Sequence, residues 1–394
     1  MKFITWMITD LLWFVIVSGN LIWAPSGLFA SSNSISIENY RNYELVHFPL
    51  VLLKGNVQGP QEGVALVENL SSGAPDRIVR APYRNGIFKI TVRMVEGENL
   101  LSISSDSGSR EELVLIYRRS RNPYQVRLVW FMASDTCLDH KPVPALPTYM
   151  TSELDMKYCV SPRTLVTCAT IWQTAIAETL YLSGYGRRSY TLEANETDEV
   201  CVRYQKGKLT FDEYCSLSTD ERYRRIYDEV VNGPYASDFA CFFVVFYANS
   251  SQYEDKHSFD SIRIALGTDR LALIDSVTLS FCPPSADCLL EYLLDDSPIP
   301  VNLSEDSAFR NVSWALSSSS LGAGVHELGH AFGLNHSSDP YDFMSRGLDY
   351  FNRIFSVLEP KSAFAPQRYC GDSDSVRWSE ESATVLLRSP WITE

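Results

Sequence analysis

The sequence predicts an α+β protein built in two parts, and three observations carry that reading. Residues 35 to 118 are a series of short apolar runs punctuated by turn residues, the spacing of a β-sandwich. From Tyr124 onward, apolar strands alternate with stretches of helical periodicity. Between these regions the chain is polar and basic from Tyr117 to Asn122, with Pro123 just after, as expected of a linker. The expected organisation is a leader over 1–34, a β-sandwich over 35–120 and a mixed domain over 121–394.

The elements follow in order. Residues 3–24 are mostly apolar, with Lys2 in front and an apolar stretch over 11–17. Small residues at Ser18, Gly19, Ala24 and Ala30 suit cleavage of a signal peptide. Uncut, the segment is nearly long enough to anchor in a bilayer, with Asp10 costly there. The expectation is a secreted or membrane-anchored chain, extracellular or in the ER lumen; the alternative is a cytoplasmic protein with a mis-started N-terminus. Apolar runs then recur at 45–53, 63–67, 86–94, 100–104 and 112–117, and that at 86–94 alternates with period two. A strand at 124–131 opens the second part. Residues 162–182 read as a helix, with Ser161 as cap, Pro162 in the first turn and Leu165, Trp172, Ile176 and Leu180 at helical spacing. Residues 189–193 read as a strand, and 210–231 as a charged surface helix. The unbroken apolar run 239–247 predicts a central strand buried on both faces. Residues 271–274 and 276–280 supply further strands, and 379–387 a terminal helix. Two prolines between Cys282 and Cys288 suggest a small disulfide loop.

The chemistry concentrates in 326–336, His-Glu-Leu-Gly-His-Ala-Phe-Gly-Leu-Asn-His. Residues four apart share a helix face, so His326 and His330 can offer two imidazoles to one Zn²⁺. His336 is out of phase with that face, and Gly333 supplies the left-handed residue with which the chain can leave the helix and bring it back. Three His ligands leave one zinc position open for water, the mark of a catalytic site. Glu327 is rotated about 100° around the helix from His326. It therefore stands beside the metal rather than on it, placed to act as general base toward that water. Met344 lies in a stretch where Pro340 and Gly347 favour turns.

The string His-Glu-x-x-His-x-x-Gly-x-x-His followed by Met344 resembles the metzincin signature. His336-Ser337 and the eight-residue step to Met344 are similar to the matrixins. Residues 343–353, together with 50–55, more closely resemble a eukaryotic family of zinc metallopeptidases, seen in fungi and nematodes, that carries the same His-Glu-Leu-Gly-His. The resemblance implies a zinc-dependent endopeptidase with a metzincin-like domain, in which Met344 forms a tight turn under the metal. The pattern of the first part resembles Ig-like modules of extracellular proteins.

Composition narrows the partners. The 394 residues carry a formal charge of −14, which argues against nucleic acid. The expected partner is a protein or peptide substrate, with membrane anchoring through the N-terminal segment as a second contact. The competing reading is an inactive binding or adhesion protein that uses the Ig-like module and keeps a vestigial zinc site.

Overall fold

Eight strands follow one another in the first part: β1 (Ile35–Ile37), β2 (Glu44–Val46), β3 (Leu50–Val57), β4 (Glu62–Asn69), β5 (Val79–Arg84), β6 (Ile87–Arg93), β7 (Gly97–Ser105) and β8 (Arg110–Tyr117). They form one sheet in the order β1-β3-β6-β5-β4-β7-β8-β2, antiparallel except where β2 meets β8. The sheet curls, bringing β1 near β7 and β8, around a core that includes Val51, Leu53, Phe88, Ile90, Leu101 and Leu115. This computed structural model describes residues 34–74, 78–137, 143–144, 159–248, 259–299 and 306–394, so the expected signal or anchor segment lies outside the described residues. Among the described residues no helix is long and apolar enough to cross a membrane.

The second part starts with β9 (Gln125–Met132) and helix α1 (Pro162–Leu182), which runs over the residues its periodicity predicts. Strands β10 (Ser189–Leu192) and β11 (Val202–Lys206) follow, then helices α2 (Phe211–Ser216) and α3 (Thr219–Val231). Next come β12 (Ala240–Tyr247), β13 (Ala265–Thr268) and β14 (Leu271–Asp275). Helices α4 (Ser276–Ser280), α5 (Ser313–Ala331) and α6 (Glu380–Arg388) and strand β15 (Ile392–Thr393) complete the elements that matter here. The sheet order is β13-β14-β12-β9-β10-β15, with β11 also on β9. β12 is parallel to both β9 and β14, whereas β13 is antiparallel to β14 and forms the edge. The whole is a mixed α+β architecture.

β12 shows why its sequence is unbroken. Cys241, Phe243, Val245 and Tyr247 face the core shared with α1 and α5. Ala240, Phe242, Val244 and Phe246 face the core under α2 and α3. Period two with both faces covered leaves no polar position.

Three expectations need correction. Residues 276–280 form α4 rather than a strand, because the Asp275 carboxylate accepts from Thr278 N at 2.8 Å and caps a helix there. The helical segment 210–231 is two helices rather than a surface insertion: Tyr214, Arg222, Tyr223, Ile226 and Glu229 are buried against the sheet. Cys282 and Cys288 are both free thiols. Residues 286–288 wind into a 3-10 turn, Cys282 sits in the core, and Cys288 accepts from the Ser285 hydroxyl at 3.3 Å.

β3 ties the two parts together. Val51 and Leu53 enter the core of the first sheet, while Leu50 and Leu52 enter the core beneath α1. Thr174 Oγ1 of α1 donates to Leu50 O at 2.6 Å. Nearby, Arg187 pairs with Glu178 at 2.7 Å and Glu44 at 2.8 Å, its guanidinium 3.7 Å from the rings of both Tyr40 and Tyr181.

Candidate active site

Helix α5 carries the motif. Its lower half is buried through Leu321, Val325, Leu328 and Ala331, which leaves His326 and His330 together on the other side. The helix ends in a Schellman turn: Leu334 N donates to Gly329 O, and Gly333 N to His330 O, both at 3.0 Å. Gly333 takes φ +98° to make that turn, as its position in the motif predicts.

The turn brings His336 back. His326 Nε2 lies 3.2 Å from His330 Nε2 and 3.3 Å from His336 Nε2, and the latter two are 3.2 Å apart. His326 Nδ1 lies 2.7 Å from Phe343 O, and His330 Nδ1 2.9 Å from Leu334 O. A carbonyl oxygen only accepts, so both Nδ1 atoms carry the proton and both Nε2 atoms present lone pairs. Burial pushes His326 down to about 4 and lowers His330 as well, so both rings are neutral at pH 7. Lone pairs converging at this distance repel unless a cation lies between them. A tetrahedral ion with Zn–N bonds of 2.0–2.1 Å places its ligand nitrogens roughly 3.4 Å apart. The donor set could therefore hold zinc.

The segment after His336 braces this triangle. Ser337 N donates to Met344 O at 2.9 Å, which fixes the backbone beside His336. Met344 is fully buried beneath the motif: a Cβ on Gly329 would lie 2.3 Å from Met344 Sδ, so only glycine lets the thioether approach the helix. Asp342 organises the turn. Its carboxylate accepts from Met344 N at 2.7 Å, Ser379 N at 2.9 Å and the Ser382 hydroxyl at 2.7 Å. Sequence reasoning missed Asp342, although an Asp two residues before the turn's Met, able to bond its own backbone, is an Asx-turn signal.

Glu327 is buried beside the His triangle, and burial pushes its carboxyl up to about 8. Edge strand β13 runs along the same stretch of helix. A Cβ on Gly267 would lie 2.4 Å from Glu327 O and 3.0 Å from His330 Cβ, and Arg270 N donates to Ala331 O at 3.0 Å. Among the described residues β13 pairs only with β14, so its outer edge is open. Two arginines without a role in the sequence reading now have one. Arg346 pairs with Asp349 at 2.6 Å; Arg353 is buried, pairs with Glu359 at 2.7 Å and lies 3.8 Å over the Tyr350 ring.

A family model described as "Putative peptidase family" (Metallopep) matches residues 34–393. The chain belongs to Metallopep. A protein of Schizosaccharomyces pombe named as a putative zinc metalloproteinase is 25% identical over 354 residues, covering 83% of this chain and 54% of that protein. The chain thus spans about half the length of this relative. Wild-type OgpA from Akkermansia muciniphila aligns with a TM-score of 0.40 at 16% identity, over 69% of this chain and 62% of its own. Its catalytically inactive form, in complex with an O-glycopeptide substrate, aligns at 0.39 and 16% identity, over 68% and 60%.

Proposed function

We propose that this chain is a zinc-dependent endopeptidase, with His326, His330 and His336 as the zinc ligands and Glu327 as the general base. The observation that carries the reading is the convergence of three imidazole nitrogens at 3.2–3.3 Å with a buried carboxyl on the next residue of the helix. When bound, zinc supplies Lewis acidity toward a peptide carbonyl. Phe343 O and Leu334 O hold the His326 and His330 rings so that both Nε2 atoms face inward. Glu327 takes the proton of the attacking water and hands it to the leaving amide nitrogen. The open edge of β13 offers backbone N–H and C=O groups to an extended peptide, which would add as a further strand. Peptide bonds then lie alongside Glu327 and His330, because Gly267 lets β13 approach the helix closely.

In the same proposal the catalytic half, 121–394, is metzincin-like with Met344 as its Met-turn, and 35–120 is an Ig-like unit. The chain is exported or anchored through 1–34, where an apolar stretch follows Lys2. The test is hydrolysis of quenched fluorescent peptides by the full chain, with and without chelator. The reading predicts cleavage that chelation abolishes and zinc restores. Cleavage that is indifferent to chelation would refute it.

A further inference from the structure

We propose that the groove between α3 and β13 is a specificity pocket for a basic side chain, Lys or Arg, of the bound peptide. The groove has a volume of about 510 Å³ and opens beside the edge of β13 that is unpaired among the described residues. The assignment begins with strand alternation. Gly267 faces α5 and the catalytic motif, so its neighbours Leu266 and Thr268 face the other way, toward α3. A peptide strand added to this edge would alternate likewise, sending every second side chain into the α3 groove.

The far wall is one stripe of α3. Asp220, Tyr223, Arg224, Tyr227 and Asp228 recur at steps of three and four and share a face. Tyr223 fixes that wall to the sheet: its hydroxyl donates to Leu271 O at 2.9 Å and pairs with Thr268 Oγ1 at 2.8 Å.

The chemistry selects the occupant. The half-buried Tyr227 ring, 6.2 Å from the Tyr223 ring, offers a face for an aliphatic stem and a cation. Asp220 and Asp228 are exposed at the rim, two carboxylates against the single guanidinium of Arg224. The chain's −14 charge would draw a cationic peptide toward the site. An acidic side chain would meet this excess of negative charge.

The assignment rests on the peptidase reading, and the experiment separates the two. Binding of short labelled peptides, identical except for one Arg, Lys, Ala or Glu, is measured by fluorescence anisotropy on the full chain in chelator. Their cleavage is followed in parallel with zinc present. Arg and Lys peptides should bind roughly tenfold more tightly than the Ala peptide. The Asp220→Asn/Asp228→Asn double variant should lose that ratio and leave Ala-peptide binding unchanged. Arg224→Gln should widen the ratio. These three positions are exposed, and far-UV circular dichroism checks that the variants fold. Equal binding of Arg and Ala peptides by the wild type, or a ratio that survives the double variant, overturns the pocket. Basic preference that depends on the two carboxylates but comes without hydrolysis overturns the peptidase reading and leaves the pocket standing.

Discussion

Replacing Asp342 by alanine deletes the acceptor of three hydrogen bonds, to Met344 N, Ser379 N and the Ser382 hydroxyl. The side chain is fully buried, so water cannot substitute for it. Bonds to a charged acceptor contribute about 1.5–3 kcal/mol each, and they do not add. A loss of about 3–5 kcal/mol is therefore expected for stranding three buried donors. The damage should reach the triangle by a defined route. The turn that Asp342 holds supplies Phe343 O to His326 and Met344 O to Ser337 beside His336. Loss of such supporting bonds typically costs roughly 10–100-fold in metal affinity. Urea denaturation gives the first quantity, and zinc competition with a chromogenic chelator gives the second. Asp342→Asn should fall in between, because its amide oxygen can still accept from Met344 N while its NH₂ group opposes a donor. An alanine variant within 0.5 kcal/mol of wild type (an allowance typical of surface changes), with unchanged zinc affinity, would refute the assignment.

Glu327→Gln should retain zinc, measured by metal analysis, and lose peptidase activity by about 10²–10⁴-fold; equal activity in the two proteins would sink the general-base role. Gly329→Ala drives a Cβ toward Met344 Sδ and should cost about 1–3 kcal/mol in thermal unfolding, a cost that Met344→Ala should partly relieve. Acid should weaken the fold through Asp372 and Glu359. Burial raises both carboxyls, but Lys89 and Lys54 around the first and Arg353 and Arg368 around the second outweigh it and hold them below their ordinary values. Depressed carboxyls stabilise above the unfolded values of about 3.9 and 4.3, and that contribution fades as pH falls through the lower folded values. Urea midpoints measured from pH 7 to 3 should drop at the acid end, and less steeply in Glu359→Gln.

What could be read from the sequence depended on whether one short segment held its own signal. α1 announces itself through Ser161, Pro162 and its apolar spacing; the expected terminal helix over 379–387 is α6, which Ser379 caps in the structure. The motif around His326 is local too, so its three imidazoles and Gly333 are found where spacing puts them. The first half of α5 is different. Ser317 to Ser320 have the composition of a loop, yet they lie buried in a helix. Ser317 donates to Phe281 O and Ser318 to Asp349 O, partners from distant parts of the chain. α3 has the charge of a surface helix, but Arg222 reaches Ile262 O at 3.1 Å and Glu229 accepts from the Tyr214 hydroxyl at 3.1 Å. Polar side chains that find their partners only after folding leave no periodic trace in the sequence.

The two-faced strand β3 has an evolutionary corollary. One short run of strand, 50–53, is read simultaneously by two hydrophobic interiors, and the Arg187 clamp joins the same pair of regions. A recombination event that exchanged the first 120 residues for an unrelated β-module would strip Leu50 and Leu52 from under α1, the helix whose Trp172 indole donates to Leu321 O of the motif helix at 2.9 Å. The second part is thus a poor candidate for modular shuffling. Lineages that diversify this chain are expected to inherit both parts together.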